Sequence, residues 1–211
     1  MDEETRHQAV LETLSHIAAR WADADKRVLR FVFPMLAKGK PVTIAHISEA
    51  AHVTPLEVVR ALELGRAGRD ADGHVVELSG LTLNPTMHRV QIGDVALFSC
   101  CALLAQLTSM LVDKSVRIES VDPVSRRLVR TLVERGSVTA IDPPEAMSSF
   151  VQTDAPSVLQ DAGESFCRHV HYFASSETAS TFIEADDRRY VLTIPDLHEA
   201  ARHLYKEVWA P

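Results

Sequence analysis

Three cysteines at two places in the chain carry the most distinctive chemistry of this sequence. Cys100 and Cys101 are neighbours in an apolar segment, and Cys167 lies much further along the chain. Thiolates are soft ligands that select soft metals, so a fold that joins the two places would bind a soft metal ion or an organometal. The alternative is that all three are small buried hydrophobic residues, as free cysteines commonly are.

His169 and His171 follow Cys167 closely and form a second candidate group. On a strand, side chains two residues apart point to the same face, and a His-x-His pair with this spacing can bind Zn or Cu. Cys167 would share that face with His169, which leaves a mixed Cys/His site open. The competing interpretation is that both histidines only hydrogen-bond to the backbone of a half-buried strand.

Two predicted elements must position these side chains. A helix predicted over Asp94 to about Val112 contains Cys100 and Cys101, and a strand is predicted over Phe166 to Phe173. On that helix Cys101 and Leu104 would share a face, whereas Cys100 would point about 100° away.

Residues 1–84 are predicted to form a helical, winged-helix-like domain. Amphipathic periodicity predicts helices over Thr5–Asp23 and Lys26–Leu36, and the segment from Thr43 to Gly65 resembles a helix-turn-helix. A turn and short strand over Asp70–Leu78 would supply the wing. Between Pro41 and Gly65, however, the Asp, Glu, Lys and Arg side chains comprise one base and three acids, so nucleic acid is not an expected partner.

Residues 85–211 are predicted to form a second domain of mixed helices and strands, with a loop-rich segment over Asp142–Gly163. The overall fold class is therefore α+β, with the N-terminal helical part packed on a mixed helix and antiparallel-sheet part. The remaining predicted elements are strands at His88–Ile92, Ser115–Ser120, Arg127–Val133, Ser137–Ile141 and Tyr190–Thr193, and helices at Glu177–Ala185 and Pro195–Trp209.

The composition is that of an ordinary globular protein. Of 211 residues, 46% are hydrophobic and 24% charged, and the net charge is -7, which argues against a nucleic-acid-binding surface. No apolar run approaches the roughly 18 residues of a membrane span. The acidic start, Met1–Thr5, lacks the basic region of a signal peptide. We therefore expect a cytoplasmic protein whose cysteines stay reduced and serve binding or catalysis.

Four segments of the chain resemble the bacterial organomercurial lyases, or alkylmercury lyases, in the order in which that family has them. The similarity runs from about Val28 to the C-terminal helix. The matching segments are Leu36–Val42, Gly80–Leu83, Leu97–Leu103 and Ser165–Ser175.

This resemblance implies a winged-helix-like part packed on a mixed helix-and-sheet catalytic part. It also implies cleavage of a carbon–mercury bond by protonolysis, giving a hydrocarbon and Hg(II) without an organic cofactor. By resemblance, Cys101 and Cys167 are the two mercury ligands and catalytic thiols. The implied partners are an organomercurial substrate and, for the product Hg(II), a mercuric reductase or small thiols.

The sequence departs from the family pattern at Leu104. Family members have an aspartate there, which takes a thiol proton and delivers it to the departing carbon; leucine cannot carry a proton. Cys100 is then the candidate proton carrier, although a thiol with a pKa near 8.5 is a weaker acid than a carboxyl. The alternative function is a non-catalytic soft-metal or organometal binder, or a metal-responsive regulator.

Overall fold

The computed structural model describes residues 3–22, 24–134 and 136–210. Over these residues the chain combines helices with antiparallel sheets, so the predicted α+β class is confirmed. The first two residues and Asp23, the predicted end of the first helix, lie outside the described residues. None of the described helices has the length and apolar character needed to cross a bilayer.

The N-terminal part is helical, as predicted. Its helices are α1 (Glu3–Ala19), α2 (Lys26–Leu29), α3 (Val32–Leu36), α4 (Ile44–Ala51) and α5 (Pro55–Leu64). The single helix predicted over Lys26–Leu36 is wrong, because it divides into α2 and α3. Pro34 explains the break, since a proline ring clashes with the carbonyl four residues earlier, here that of Arg30.

Helices α4 and α5 form the expected helix-turn-helix. His52 ends α4 in the left-handed conformation, and Thr54 with Glu57 forms a capping box at the start of α5. Strands β1 (Gly68–Arg69) and β2 (Val75–Leu78) follow as an antiparallel pair. Assignment of 1–84 as a separate winged-helix-like domain stays a prediction.

One antiparallel sheet runs through both predicted parts of the chain. Its strands after β2 are β3 (Leu81–Thr82), β4 (His88–Ile92), β5 (Val95–Ser99), β6 (Val116–Val121), β7 (Leu128–Glu134) and β8 (Ser137–Asp142). The strand order is β1-β2-β3-β5-β4-β6-β7-β8. Strand β3, before residue 84, therefore pairs directly with β5, which lies after it.

The second half adds a smaller sheet and further helices. The sheet contains β9 (Met147–Val151), β10 (Tyr172–Phe173) and β11 (Arg189–Thr193), in the order β10-β9-β11. The helices are α6 (Ala102–Val112), α7 (Ala155–Ser165), α8 (Ser176–Ile183) and α9 (Ile194–Val208). The predicted loop over Asp142–Gly163 is wrong, because it contains β9 and most of α7.

Helix α6 is the central element of the core. Residues 102–109 are all buried, and the helix packs against α9, α3 and the large sheet. A helix surrounded on all sides is buried on every face, which accounts for its mostly apolar sequence, and its buried Gln106, Thr108 and Ser109 are each hydrogen-bonded. Its N-terminus is therefore fixed by packing in several directions.

Both elements predicted to carry the cysteines differ from the structure. The segment from residue 94 to 112 is not one helix: Val95–Ser99 is strand β5, and the helix begins only at Ala102. Gly93 and Asp94 form the tight turn between β4 and β5, a dipeptide typical of hairpins. The segment Phe166–Phe173 is not one strand, because Cys167–His169 forms a 3₁₀ turn.

Candidate functional site

The three cysteine thiols meet at one place in the fold. Their Sγ atoms all lie within 4.8 Å of one another, and the Sγ atoms of Cys100 and Cys167 are 3.2 Å apart. Cys101 and Cys167 are buried, whereas Cys100 is partly exposed. The structure thus brings together all three cysteines that the sequence analysis named as candidate ligands or catalytic thiols.

Cys100 and Cys101 are held at the junction between β5 and α6. The Cys100 N–H donates to the Gly80 carbonyl at 3.0 Å. Cys101 occupies the N-cap position of α6 in an extended conformation. A helix N-terminus favours a negative charge, so a thiolate on Cys101 gains stabilisation from the helix dipole.

Cys167 reaches the same place from the end of α7. It begins the 3₁₀ turn that follows this helix. A backbone hydrogen bond joins the two cysteine segments: the Ala102 N–H donates to the Val170 carbonyl at 3.0 Å. The separation of Cys101 from Cys167 is therefore set by the backbone of the fold.

All three thiols have pKa values well above the ordinary thiol range. Burial is the main reason for Cys101, while the backbone N–H of Leu104 opposes the shift. For Cys100, interaction with Cys101 lowers the pKa, but interaction with Cys167 and burial outweigh it. For Cys167, interaction with Cys100 lowers the pKa, but interaction with Cys101 and burial outweigh it. The free site therefore holds thiols, and a soft metal must displace their protons.

Arg20 places a positive charge close to this site. It follows α1, and its charge interacts favourably with Cys100 and Cys167. Burial lowers the pKa of the guanidinium, and its Nε has no hydrogen-bond partner. Sequence analysis missed Arg20, because an isolated arginine at a helix end gives no signal of a partner brought near by the fold.

Leu104 and Gly80 form a tight wall beside the thiols. Gly80 lies in the turn between β2 and β3 with φ +77°. A Cβ at Gly80 would lie 2.4 Å from Leu104 Cδ1 and 2.9 Å from Cys100 Sγ. The position therefore requires glycine both for its backbone conformation and for the contact with the site.

We expect Gly80→Ala to destabilise the protein more than Gly73→Ala does. Gly73 has a similar φ of +80°, but nothing lies within 4 Å of a Cβ added there. Gly73→Ala therefore measures the backbone strain alone, about 1–2 kcal/mol. Gly80→Ala adds steric overlap worth about 1–3 kcal/mol. Urea unfolding of both variants measures the difference, and equal losses of unfolding free energy would contradict the tight contact.

His171 and His88 form a buried hydrogen-bonded chain rather than a metal site. His171 Nε2 lies 2.8 Å from the Arg168 carbonyl, which can only accept, so this nitrogen carries the proton. His171 Nδ1 then accepts from His88 Nε2 at 3.4 Å, and His88 Nδ1 accepts from the Ser120 hydroxyl at 2.8 Å. Both imidazoles are neutral in this arrangement.

His169 is also engaged elsewhere. Its Nδ1 accepts from Arg189 Nε at 3.0 Å. Across residues 3–22, 24–134 and 136–210, the side chains grouped closely enough to hold a metal are the three thiols and, separately, Asp70, Asp72 and His74. The predicted His-x-His site and the mixed Cys/His site are therefore not assembled.

We expect the free energy of unfolding to decrease in acid, because His88 is buried and its burial disfavours the protonated form. Burial lowers its pKa from 6.5 to about 3, and His171 beside it acts in the same direction. Because the unfolded chain binds this proton and the folded chain does not, stability is lost as pH falls from 6.5 towards 3. The loss is at most about 1.4 kcal/mol per pH unit.

Urea midpoints between pH 7 and 4 measure this loss. His88→Gln should flatten the slope, whereas His46→Gln, which removes an exposed histidine on α4, should keep it. A wild-type slope in His88→Gln would show that other groups cause the acid sensitivity.

The chain is similar to known proteins over most of its length. The family model described as alkylmercury lyase matches residues 81–206. An alkylmercury lyase of Streptomyces lividans is 28% identical over 204 residues, covering 97% of this chain and 94% of the relative. An alkylmercury lyase of Staphylococcus epidermidis is 32% identical over 178 residues, covering 84% and 81%.

A solved structure agrees in fold. The crystal structure of the mercury-bound form of MerB2 superimposes with a TM-score of 0.78 at 21% identity, covering 94% of this chain and 99% of that one. The matched region contains all three cysteines, and both of these relatives are named alkylmercury lyase. This chain belongs to the alkylmercury lyase family.

Proposed function

We propose that this protein cleaves the carbon–mercury bond of organomercurials to give a hydrocarbon and Hg(II), with Cys101 and Cys167 as the two mercury ligands. The observation that carries the proposal is the convergence of the thiols within 4.8 Å in a chain of this family. Thiolates are the side-chain ligands with the softness that mercury prefers.

The reaction needs two thiols that act one after the other. Cys101 displaces the small thiol that carries the organomercurial, and the proton of Cys101 leaves with that thiol. Cys167 then bonds to mercury, and its proton ends on the departing carbon. The products are the hydrocarbon and Hg(II) bound between two thiolates, so no external oxidant or reductant is required.

Charges around the site favour the thiolate forms that mercury binds. The N-terminus of α6 stabilises negative charge on Cys101. Arg20 stabilises negative charge on Cys167 and on Cys100. These interactions lower the cost of losing the two thiol protons in a site where burial otherwise disfavours ionisation.

Cys100 serves as a third thiol beside the two ligands. Its Sγ lies 3.2 Å from that of Cys167, and the residue is partly exposed, so it can receive an incoming organomercurial and pass it to the two buried thiols. A thiol in this position also offers a third sulfur to Hg(II) before the product leaves.

The release of Hg(II) and the proposed cellular location both follow from the chemistry of thiols. Hg(II) held by two thiolates leaves by exchange with other thiols, so small thiols or a mercuric reductase are the proposed acceptors. Because the thiols must stay reduced, the proposed location is the cytoplasm. No organic cofactor is needed, since the proton and both ligands come from side chains.

A second candidate function is favoured by Leu104. This side chain is 6% exposed and lines the site where relatives would need an acid, so binding without cleavage is the competing proposal. A soft-metal binder would hold phenylmercury indefinitely and release no benzene.

Release of benzene from phenylmercury, in the presence of excess small thiol, tests the proposal. The purified protein should release benzene faster than a protein-free solution, in proportion to its concentration. Tight phenylmercury binding without such release would reject the lyase and leave the binder.

A further inference from the structure

The Cys100 thiol has no fixed role in a mercury site with two sulfur ligands, yet it belongs to the same cluster. Its Sγ lies 3.2 Å from that of Cys167, and the Sγ atoms of all three cysteines lie within 4.8 Å of one another. The Cys100 N–H donates to the Gly80 carbonyl at 3.0 Å, which holds the residue in this place. The cluster is therefore a set of three soft ligands, and three ligands suit different ions than two do.

The distance between the Cys100 and Cys167 sulfurs sets the angle at which one ion can bind both. With ion–sulfur bonds of about 2.3 Å, the length found for zinc thiolates, sulfurs 3.2 Å apart subtend about 90° at the ion. An ion that binds two sulfurs in a straight line at this bond length needs them about 4.6 Å apart. An angle near 90° is typical of a trivalent ion with a lone pair, which binds three ligands as a pyramid.

Leu104 leaves the cluster without the oxygen ligand that an acidic residue would supply there. Its Cδ1 and Cys100 Sγ would lie 2.4 Å and 2.9 Å from a Cβ added to Gly80, so the leucine side chain lies beside the thiols. Across residues 3–22, 24–134 and 136–210, the group that could hold an ion at this place consists of the three thiols. Hard ions prefer oxygen, and structural zinc takes four ligands, so neither is satisfied by this set.

Burial of the cluster favours an ion whose charge three thiolates neutralise. Cys101 and Cys167 are buried, and a net charge in a buried site is costly. A divalent ion is neutral with two thiolates and carries a net negative charge with three. A trivalent ion is neutral with three thiolates, so it can use every sulfur of the cluster without leaving a buried charge.

We propose that the three thiols form a binding site for trivalent arsenic, taken up as arsenite, with Cys100, Cys101 and Cys167 as its ligands. Three arsenic–sulfur bonds replace the three arsenic–oxygen bonds of arsenous acid, and each hydroxyl leaves as water with one thiol proton. Arsenic stays trivalent and the sulfurs stay reduced, so no oxidant or reductant is consumed. The site requires binding alone, so this inference is independent of carbon–mercury cleavage.

Arsenite titration of the whole protein, reduced with a phosphine, tests the inference. X-ray absorption at the arsenic edge should show one arsenic per chain with three sulfur neighbours. Cys100→Ser should weaken arsenite binding by at least about 10²-fold, since even residues that only support a ligand contribute 10–100-fold. The chain has no fourth cysteine, so the matched control is a second ligand. Phenylarsine oxide needs two thiols and should bind Cys100→Ser and the wild type with similar affinity.

Three results would overturn the arsenic site: no arsenite binding by the reduced wild type, fewer than three sulfur neighbours, or unchanged arsenite affinity in Cys100→Ser. If Cys100→Ser lost both arsenicals and Hg(II), the substitution would have disrupted the cluster. The sulfur count in the wild type then decides alone, with three supporting the site and fewer rejecting it. Benzene release is a separate measurement, so failure of the lyase proposal and failure of this inference are distinguishable.

Discussion

Cys167→Ser is expected to lower the rate of benzene release from phenylmercury by at least about 10³-fold, the scale seen when an essential nucleophile is removed. Serine nearly matches cysteine in shape, but its oxygen is a hard donor that does not replace a thiolate on a soft metal. Cys101 would still take up the organomercurial, so the variant should form a stable phenylmercury adduct. Mass spectrometry of the intact protein detects that adduct, and benzene release measures the lost step.

Cys100→Ser provides the comparison within the same cluster. It removes a thiol 3.2 Å from Cys167 Sγ but leaves both proposed ligands, so it should retain Hg(II) binding with two sulfurs and a measurable rate. If Cys100→Ser abolished release while Cys167→Ser preserved it, the ligand pair would be Cys100 and Cys101 instead.

Leu104→Asp is expected to raise benzene release by about 10²-fold over the wild type, since positioned acids typically contribute 10²–10⁴-fold. Position 104 lies in the first turn of α6, where the helix dipole favours an acidic residue.

Leu104→Asn is the matched control for this variant. Asparagine has the size of aspartate and imposes the same polar burial at a side chain that is 6% exposed, but it carries no exchangeable carboxyl proton. Leu104→Asn should therefore lose unfolding free energy as Leu104→Asp does and gain no rate. Equal rates in the two variants would show that position 104 affects release through packing alone.

Local sequence signals predicted many elements of this fold correctly. Strand β4 has the predicted bounds, and the capping box formed by Thr54 and Glu57 is confirmed. The wrongly predicted elements are those in which a short turn signal competed with a longer hydrophobic pattern. Gly93 and Asp94 signal a hairpin turn, but the apolar run after them extends the helical pattern backwards across β5.

The thiol cluster could be predicted only from the order of family-like segments. Nothing local relates Cys100 to Cys167, because their contact depends on the packing of α6 and α7 and on the bond between Ala102 and Val170. Arg20 carried no signal at all. It is a single charged residue just after α1, and only the fold brings its charge close to the thiols.

Arg20 does not belong to the stretch of chain that supplies the sulfurs. All three sulfurs lie within residues 81–206, the stretch that the family model matches, whereas the guanidinium comes from upstream of it. Changes upstream can therefore adjust protonation and reactivity while the three cysteines stay unchanged. A fragment trimmed to the matched stretch would keep the cysteines and lose the guanidinium beside them.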